Sequence, residues 1–207
     1  MIGLLGLDWS SAPSVVDEAQ HLLRDPLVSA LNVALAKART ITTGAGDVIV
    51  AADTIVASDG QSLGKPADAA AAEKMLLALR GRAHEVVTGV ALRSADGREW
   101  GAVVSTRVLM RDYSDAEIRA YVARGEPFDK AGGYAVQDAQ FRPVERCDGC
   151  YLNVVGLPLC AVAAGLAALS VDVPRAQPPP CQYCVAGGPL VEVAQDTERF
   201  SSWYCPA

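Results

Sequence analysis

Residues 48–66 read VIVAADTIVASDGQSLGKP, an apolar run that carries a carboxylate and ends beside a lysine. Val48 to Ala52 has the composition of a buried strand, and Asp53 and Thr54 stand where that run ends. A second short apolar piece, Ile55 to Ala57, leads into Asp59-Gly60, a strong turn signal, and the chain returns through Leu63 to Gly64, Lys65 and Pro66. The expectation is a carboxylate at a strand end with a lysine just past a nearby turn. Strand ends of an α/β sheet are where ligands bind. A carboxylate to accept a proton or hold a metal, with a lysine to neutralise charge, suits phosphate-ester or phosphoanhydride chemistry. Asp-Thr is equally a turn or helix-capping pair, so these residues alone leave both roles open.

Composition narrows the partners. The chain has 207 residues, 51% of them hydrophobic and 20% charged, enough for one domain with a real core. Net charge is −6 and no Lys/Arg run occurs, which disfavours a reader of nucleic-acid backbone. An anionic small substrate then needs local lysines or a metal to offset the acidic field. The opening MIGLLGLDWSS lacks the basic flank of a signal peptide. The longest apolar run, Leu157 to Leu169, is interrupted by Pro158 and too short to span a bilayer. The expectation is a cytoplasmic protein with no membrane partner and mostly reduced thiols.

Around the opening stretch the chain alternates helices and strands. Pro26 opens a helix whose apolar stripe is Leu27, Leu31, Ala34, Leu35 and Ala38, with Lys37 off the stripe on the solvated side. Asp68 caps a second helix striped by Ala72, Met75, Leu76 and Leu79, which Gly81 ends. Glu85–Leu92 and Ala102–Met110 read as strands of a hairpin turned at Asp96-Gly97. His84, at the entry to the first, is expected to be structural. Ser114-Asp115-Ala116-Glu117 is a capping box, and its helix ends at Gly125. The segment GEPFDKAGGYAVQ, residues 125–137, is a Gly-rich polar loop suited to close approach of backbone to a ligand or to an ordinary surface. Phe141–Arg146 and Tyr151–Val155 read as short strands, and the segment from Gly156 starts a last helix through Leu169. The divisions are thus one domain over 1–170, a proline-rich linker over 171–180 and a cysteine-containing tail over 181–207.

Four segments together, VIVAADTIV with LGKP, LRGRAHEVVTGV, GEPFDKAGGYAVQ and YLNVVGLPL, resemble the Maf family of nucleotide pyrophosphatases in their order and spacing, over about Leu5 to Leu169. The resemblance implies an α/β fold of the inosine-triphosphatase-like type, a mixed elongated sheet flanked by helices in two lobes with a cleft between them. It implies hydrolysis of a nucleoside triphosphate to a monophosphate and pyrophosphate, a divalent metal (Mg or Mn) and a homodimer. Residue by residue, Asp53 matches the proton acceptor; Thr54 and Gln137 match specificity positions as the dTTP/UTP branch has them; Lys65 and Lys37 match phosphate-holding lysines; Glu18 matches an active-site glutamate. Asp53, with Glu18, is the expected metal holder. The family opens with a strand and a Ser-x-Ser-x-Arg-Arg loop that supplies phosphate contacts; this sequence starts where the residues after that arginine pair are expected, so the expectation is a Maf domain without them. Alongside a housecleaning enzyme for nucleotide pools, a nucleotide-binding module without turnover therefore remains an alternative.

Cys147-x-x-Cys150 and Cys181-x-x-Cys184 form a CxxC…CxxC pattern, the spacing of a four-thiolate structural zinc site. Buried small side chains and reduced tail thiols account for the same pattern without metal. A cysteine-centred, zinc- or redox-responsive interaction protein is the third alternative.

Overall fold

The structure is a computed structural model that describes residues 1–42 and 44–173, and the backbone of 191–193. Its centre is an antiparallel sheet in the order β2-β1-β3-β4-β5, made of β1 (Val48–Ser58), β2 (Gln61–Leu63), β3 (Ala83–Ser94), β4 (Glu99–Met110) and β5 (Val144–Asp148). A sixth strand, β6 (Val191–Val193), pairs with β4 at Gly101–Val103. Every pairing among the described strands is antiparallel, because β1–β2 and β3–β4 are hairpins and β3 returns against β1 after a helix. β1 is hydrogen-bonded along its length to β3, but on its other side β2 reaches only Val56–Ser58. Its edge over Val48–Ile55 therefore carries no strand among the described residues.

Alternation along the strands sorts the two faces. On one lies α1 (Pro26–Thr40), capped by the Asp25 carboxylate and packed through Ala30 and Leu31 onto Ile55, Val87 and Val103. It approaches so closely that a Cβ at Gly89 would fall on the Ala30 backbone. The other face carries two clusters. At one end α2 (Ala69–Leu79) and α3 (Asp115–Ala123) bury Leu76, Ile118 and Tyr121 against Val86, Val108 and Met110. At the other end α4 (Tyr151–Val155) and α5 (Leu159–Ala168) bring Leu159, Val162 and Leu166 onto Val90, Leu92 and Trp100. No helix among the described residues is long and apolar enough to cross a membrane.

The Asp68 cap, the Ser114–Glu117 capping box and the β3–β4 hairpin form as expected. Four expectations change. Asp53 is not at a strand end: β1 runs unbroken through it, because Asp53 and Thr54 satisfy their polarity sideways, on Lys37 and on Thr88. Tyr151–Val155 is helix, not strand; a five-residue apolar run does not distinguish the two by period, and Gly156, at φ 111°, ends the turn. The strand expected at Phe141–Arg146 begins only at Val144, since Arg142 has φ 46° and Pro143 has no N–H. Phe141 instead stacks on Tyr121 in the core. In α1, Leu27 is exposed while Ser29, Ala30 and Val33 are buried, because the segment before the helix folds over it and Leu23 N–H donates to Ser29 Oγ at 2.7 Å.

His84 is structural, as expected: it is buried, with Nε2 2.7 Å from Tyr134 Oη, and burial lowers its pKa to about 4. Residues 174–190 and 194–207 lie outside the description, and with them the proline-rich segment, Cys181 and Cys184.

Candidate active site

A cleft of about 620 Å³ opens between the two clusters and wraps around the open edge of β1. It gathers all six residues singled out from the sequence: Glu18, Lys37, Asp53, Thr54, Lys65 and Gln137. They come from five separate places in the chain. The loop holding Lys65 is fastened to the Gly-rich loop by Gly132 N–H, which donates to Gly64 C=O at 3.1 Å; this brings Gln137 to the same cleft. A second cavity of about 590 Å³ continues along the β1 edge and shares Lys37 and Ala52 with the first.

Asp53 and Thr54 are neighbours in a strand, so their side chains leave it on opposite faces. Asp53 faces α1. Lys37 Nζ donates to Asp53 Oδ1 at 2.7 Å and lies 2.7 Å from Glu18 Oε1. Asp53 and Lys37 are 13% and 20% exposed and Glu18 is 51% exposed, so the pair at the sheet is sheltered and the outer carboxylate is wet. Burial raises the Asp53 pKa above the usual carboxylate range, although the Lys37 bond pulls it the other way. Burial also works against the charge on Lys37, but its hydrogen bonds to Asp53 and Glu18 outweigh it and its pKa is raised. The result is a protonated lysine beside a carboxylate more basic than a surface aspartate. Lys37, expected on the solvated side of its helix, is turned inward because the sheet edge beside it is open.

Thr54 faces the other way. Its hydroxyl lies 2.8 Å from that of Thr88, and apolar Val86 and Val154 flank it with Gly156. Sequence reasoning missed Lys130, which lines the cleft with its ammonium on Asp129 Oδ1 at 2.6 Å. Its place in the Gly-rich polar loop was the available signal. Three lysines thus meet three carboxylates, Glu18, Asp53 and Asp129, so the protein alone leaves the cleft near neutral.

The donor set fits a hard divalent metal in one respect: Asp53 and Glu18 already converge on a single cation, the Lys37 ammonium, with carboxylate oxygens. For the zinc pattern, Cys147 lies on β5 and Cys150 caps α4, and no group of three or more His, Cys, Asp or Glu is placed to hold a metal among the described residues. The other two cysteines of the pattern fall outside them.

The chain is 45% identical over 192 residues to a dTTP/UTP pyrophosphatase of Thermomicrobium roseum, covering 89% of this chain and 87% of the relative. A dTTP/UTP pyrophosphatase of Anaeromyxobacter dehalogenans is 45% identical over 181 residues, 86% of this chain and 92% of its own. One of Moorella thermoacetica is 43% identical over 175 residues, 84% and 90% of the two chains. The family model described as Maf-like protein matches residues 2–169, and the chain belongs to the Maf family.

Proposed function

We propose that this protein is a nucleoside triphosphate pyrophosphatase that acts on dTTP and UTP. The observation that carries the proposal is the sheltered Asp53 carboxylate, raised in pKa and bonded to Lys37, in a cleft that also holds Lys65, Lys130 and Gln137. Water attacks the α-phosphorus and the bond from that phosphorus to the bridging oxygen of the β-phosphate breaks. Asp53 accepts the proton the water gives up, and its raised pKa improves it as a base. Nucleoside monophosphate and pyrophosphate leave. Lys65 has no ion pair within 4 Å among the described residues, so its charge is available to the phosphates; Lys37 and Lys130 add theirs by exchanging carboxylate for phosphate. Lys37 and Glu18 lie with Asp53 on one face of β1, and the neutral, partly apolar wall of Val86, Val154 and Gly156 lies beside Thr54 on the other. The triphosphate belongs on the first and the base on the second.

Asp53 and Glu18 would hold Mg²⁺ or Mn²⁺, which would supply neutralisation of charge on the phosphate oxygens. Lys37 occupies the space between those carboxylates, so ammonium and metal compete for it. The test is product analysis with dTTP, UTP and 7-methyl-GTP in Mg²⁺ or Mn²⁺. Monophosphate and pyrophosphate in equal amounts, with dTTP and UTP preferred, are expected; a nucleoside diphosphate with orthophosphate, or no turnover, refutes the proposal.

A further inference from the structure

The hydroxyl of Thr54 is not free to choose its role. Behind it a chain of buried hydrogen bonds runs into the core. Thr88 Oγ1 donates to the Asn153 backbone carbonyl at 3.0 Å, and Thr88 and Asn153 are both 0% exposed. A carbonyl only accepts, so this bond uses the single proton of Thr88. In the 2.8 Å contact between Thr54 and Thr88, Thr54 must then be the donor. The reverse arrangement would leave two oxygens facing each other at 3.0 Å in the dry interior with no proton between them.

The rest of the network holds the carbonyl in place. The Asn153 side-chain amide donates to Val86 C=O at 2.8 Å and to Thr106 Oγ1 at 2.9 Å. Thr106 Oγ1 in turn donates to Cys150 C=O at 3.2 Å and accepts from Cys150 N–H at 3.1 Å. These bonds pin α4 to β3 and β4, and every hydroxyl proton in the network points inward. With its own proton committed to Thr88, Thr54 offers the cleft lone pairs only.

We infer that Thr88 is a positioning residue that fixes Thr54 as a hydrogen-bond acceptor and so makes the cleft select bases that donate at that point. Uracil and thymine present N3–H there; cytosine presents a lone pair at N3 and meets acceptor with acceptor. The inference rests on the reading of the cleft as a nucleotide site with the base on the Thr54 face. It adds the origin of a preference for uracil and thymine over cytosine, and a residue buried behind the cleft wall that sets it.

The test titrates wild type, Thr88→Val and Thr88→Ser with uncleavable α,β-methylene UTP and its cytidine counterpart, alongside pyrophosphate release from UTP and CTP. Wild type is expected to favour the uridine ligand by at least about 10-fold, the scale of one hydrogen bond made or opposed. Thr88→Val frees the Thr54 proton to face the ligand and shrinks the preference to within about 3-fold, whereas Thr88→Ser keeps it. An unchanged preference in folded Thr88→Val overturns the inference, as does a wild type that binds both ligands equally or neither. Should Thr88→Val fail to fold, Thr54→Val is expected to lose the preference and Thr54→Ser to keep it; a preference that survives Thr54→Val overturns the inference too. Selective binding without pyrophosphate release would refute the proposed activity and leave the inference standing. Equal release from UTP and CTP would do the opposite.

Discussion

The two faces of β1 at Asp53 and Thr54 are built on different physics. On the Asp53 face, charged groups sit at the mouth of the cleft, partly in water, and each carboxylate is bonded to a lysine. Behind Thr54 on the other face, Thr88, Asn153 and Thr106 are buried, neutral and joined in one network. Charge close to solvent can be handed over to a substrate, because lysine exchanges one anion for another. The dry neutral network resists rearrangement, because turning the Thr88 proton away would leave its oxygen facing the Asn153 carbonyl at 3.0 Å with no proton between them, so it holds one polarity. On the proposed reading, one strand thus separates the group that reacts from the group that discriminates by a single residue step.

The largest expected effect strikes the packing beneath the Asp53 face. Gly89 pairs with Asp53 across β1 and β3, and α1 rests on it. Gly89→Ala would push α1, and Lys37 with it, away from the sheet. The loss expected is about 3 kcal/mol or more of stability together with turnover, read by thermal unfolding and pyrophosphate release. A stable, active Gly89→Ala would mean the α1 contact is loose.

Lys37→Gln strikes the charged face alone. It leaves Asp53 and Glu18 without their cation, and a fall of about 10- to 100-fold in kcat/KM is expected, the worth of one charge-assisted bond. The uridine-over-cytidine preference should not move, because the Thr54 network is untouched. Loss of that preference in Lys37→Gln would erase the division between the faces.

A further effect concerns stability alone, with no change in turnover at neutral pH, and lies beside the neutral face. His84 has a folded pKa of about 4 against an ordinary value of 6.5, so between these values the unfolded chain binds more protons. Its contribution is full above pH 6.5 and is lost as pH falls toward 4. The two pKa values give a loss on the order of 3 kcal/mol. Denaturant unfolding across that window, compared with His84→Gln, should show a shallower pH slope in the variant. Equal slopes would place the His84 proton equilibrium elsewhere.

How much of this was legible in the sequence differs between the faces. The candidate set was found by resemblance: Asp53, Lys65 and Gln137 stand in motifs, and the cleft does assemble them. Residue-level rules were less sure. Helical period put Lys37 on the solvated side, since a stripe along α1 says nothing of an open sheet edge next to it. Asp53 looked like the end of a strand because its partner is 16 residues away. The neutral face was silent. Thr88 in EVVTGVAL is a β-branched residue well suited to any strand, and its role depends on Asn153, 65 residues later. Asn153 itself stood in a run read as strand, so its bonds to Val86 and Thr106 had no basis in the pattern. Polarity in a buried network is a property of contacts across the fold, and local pattern does not carry it.

The most direct test of the division between the faces is Asp53→Asn, assayed twice. Pyrophosphate release from dTTP and UTP should fall by about 10²- to 10⁴-fold, the range for removal of a positioned general base. The margin of α,β-methylene UTP over the cytidine ligand should persist. Turnover that survives in Asp53→Asn, or a base preference that vanishes with it, would contradict the account.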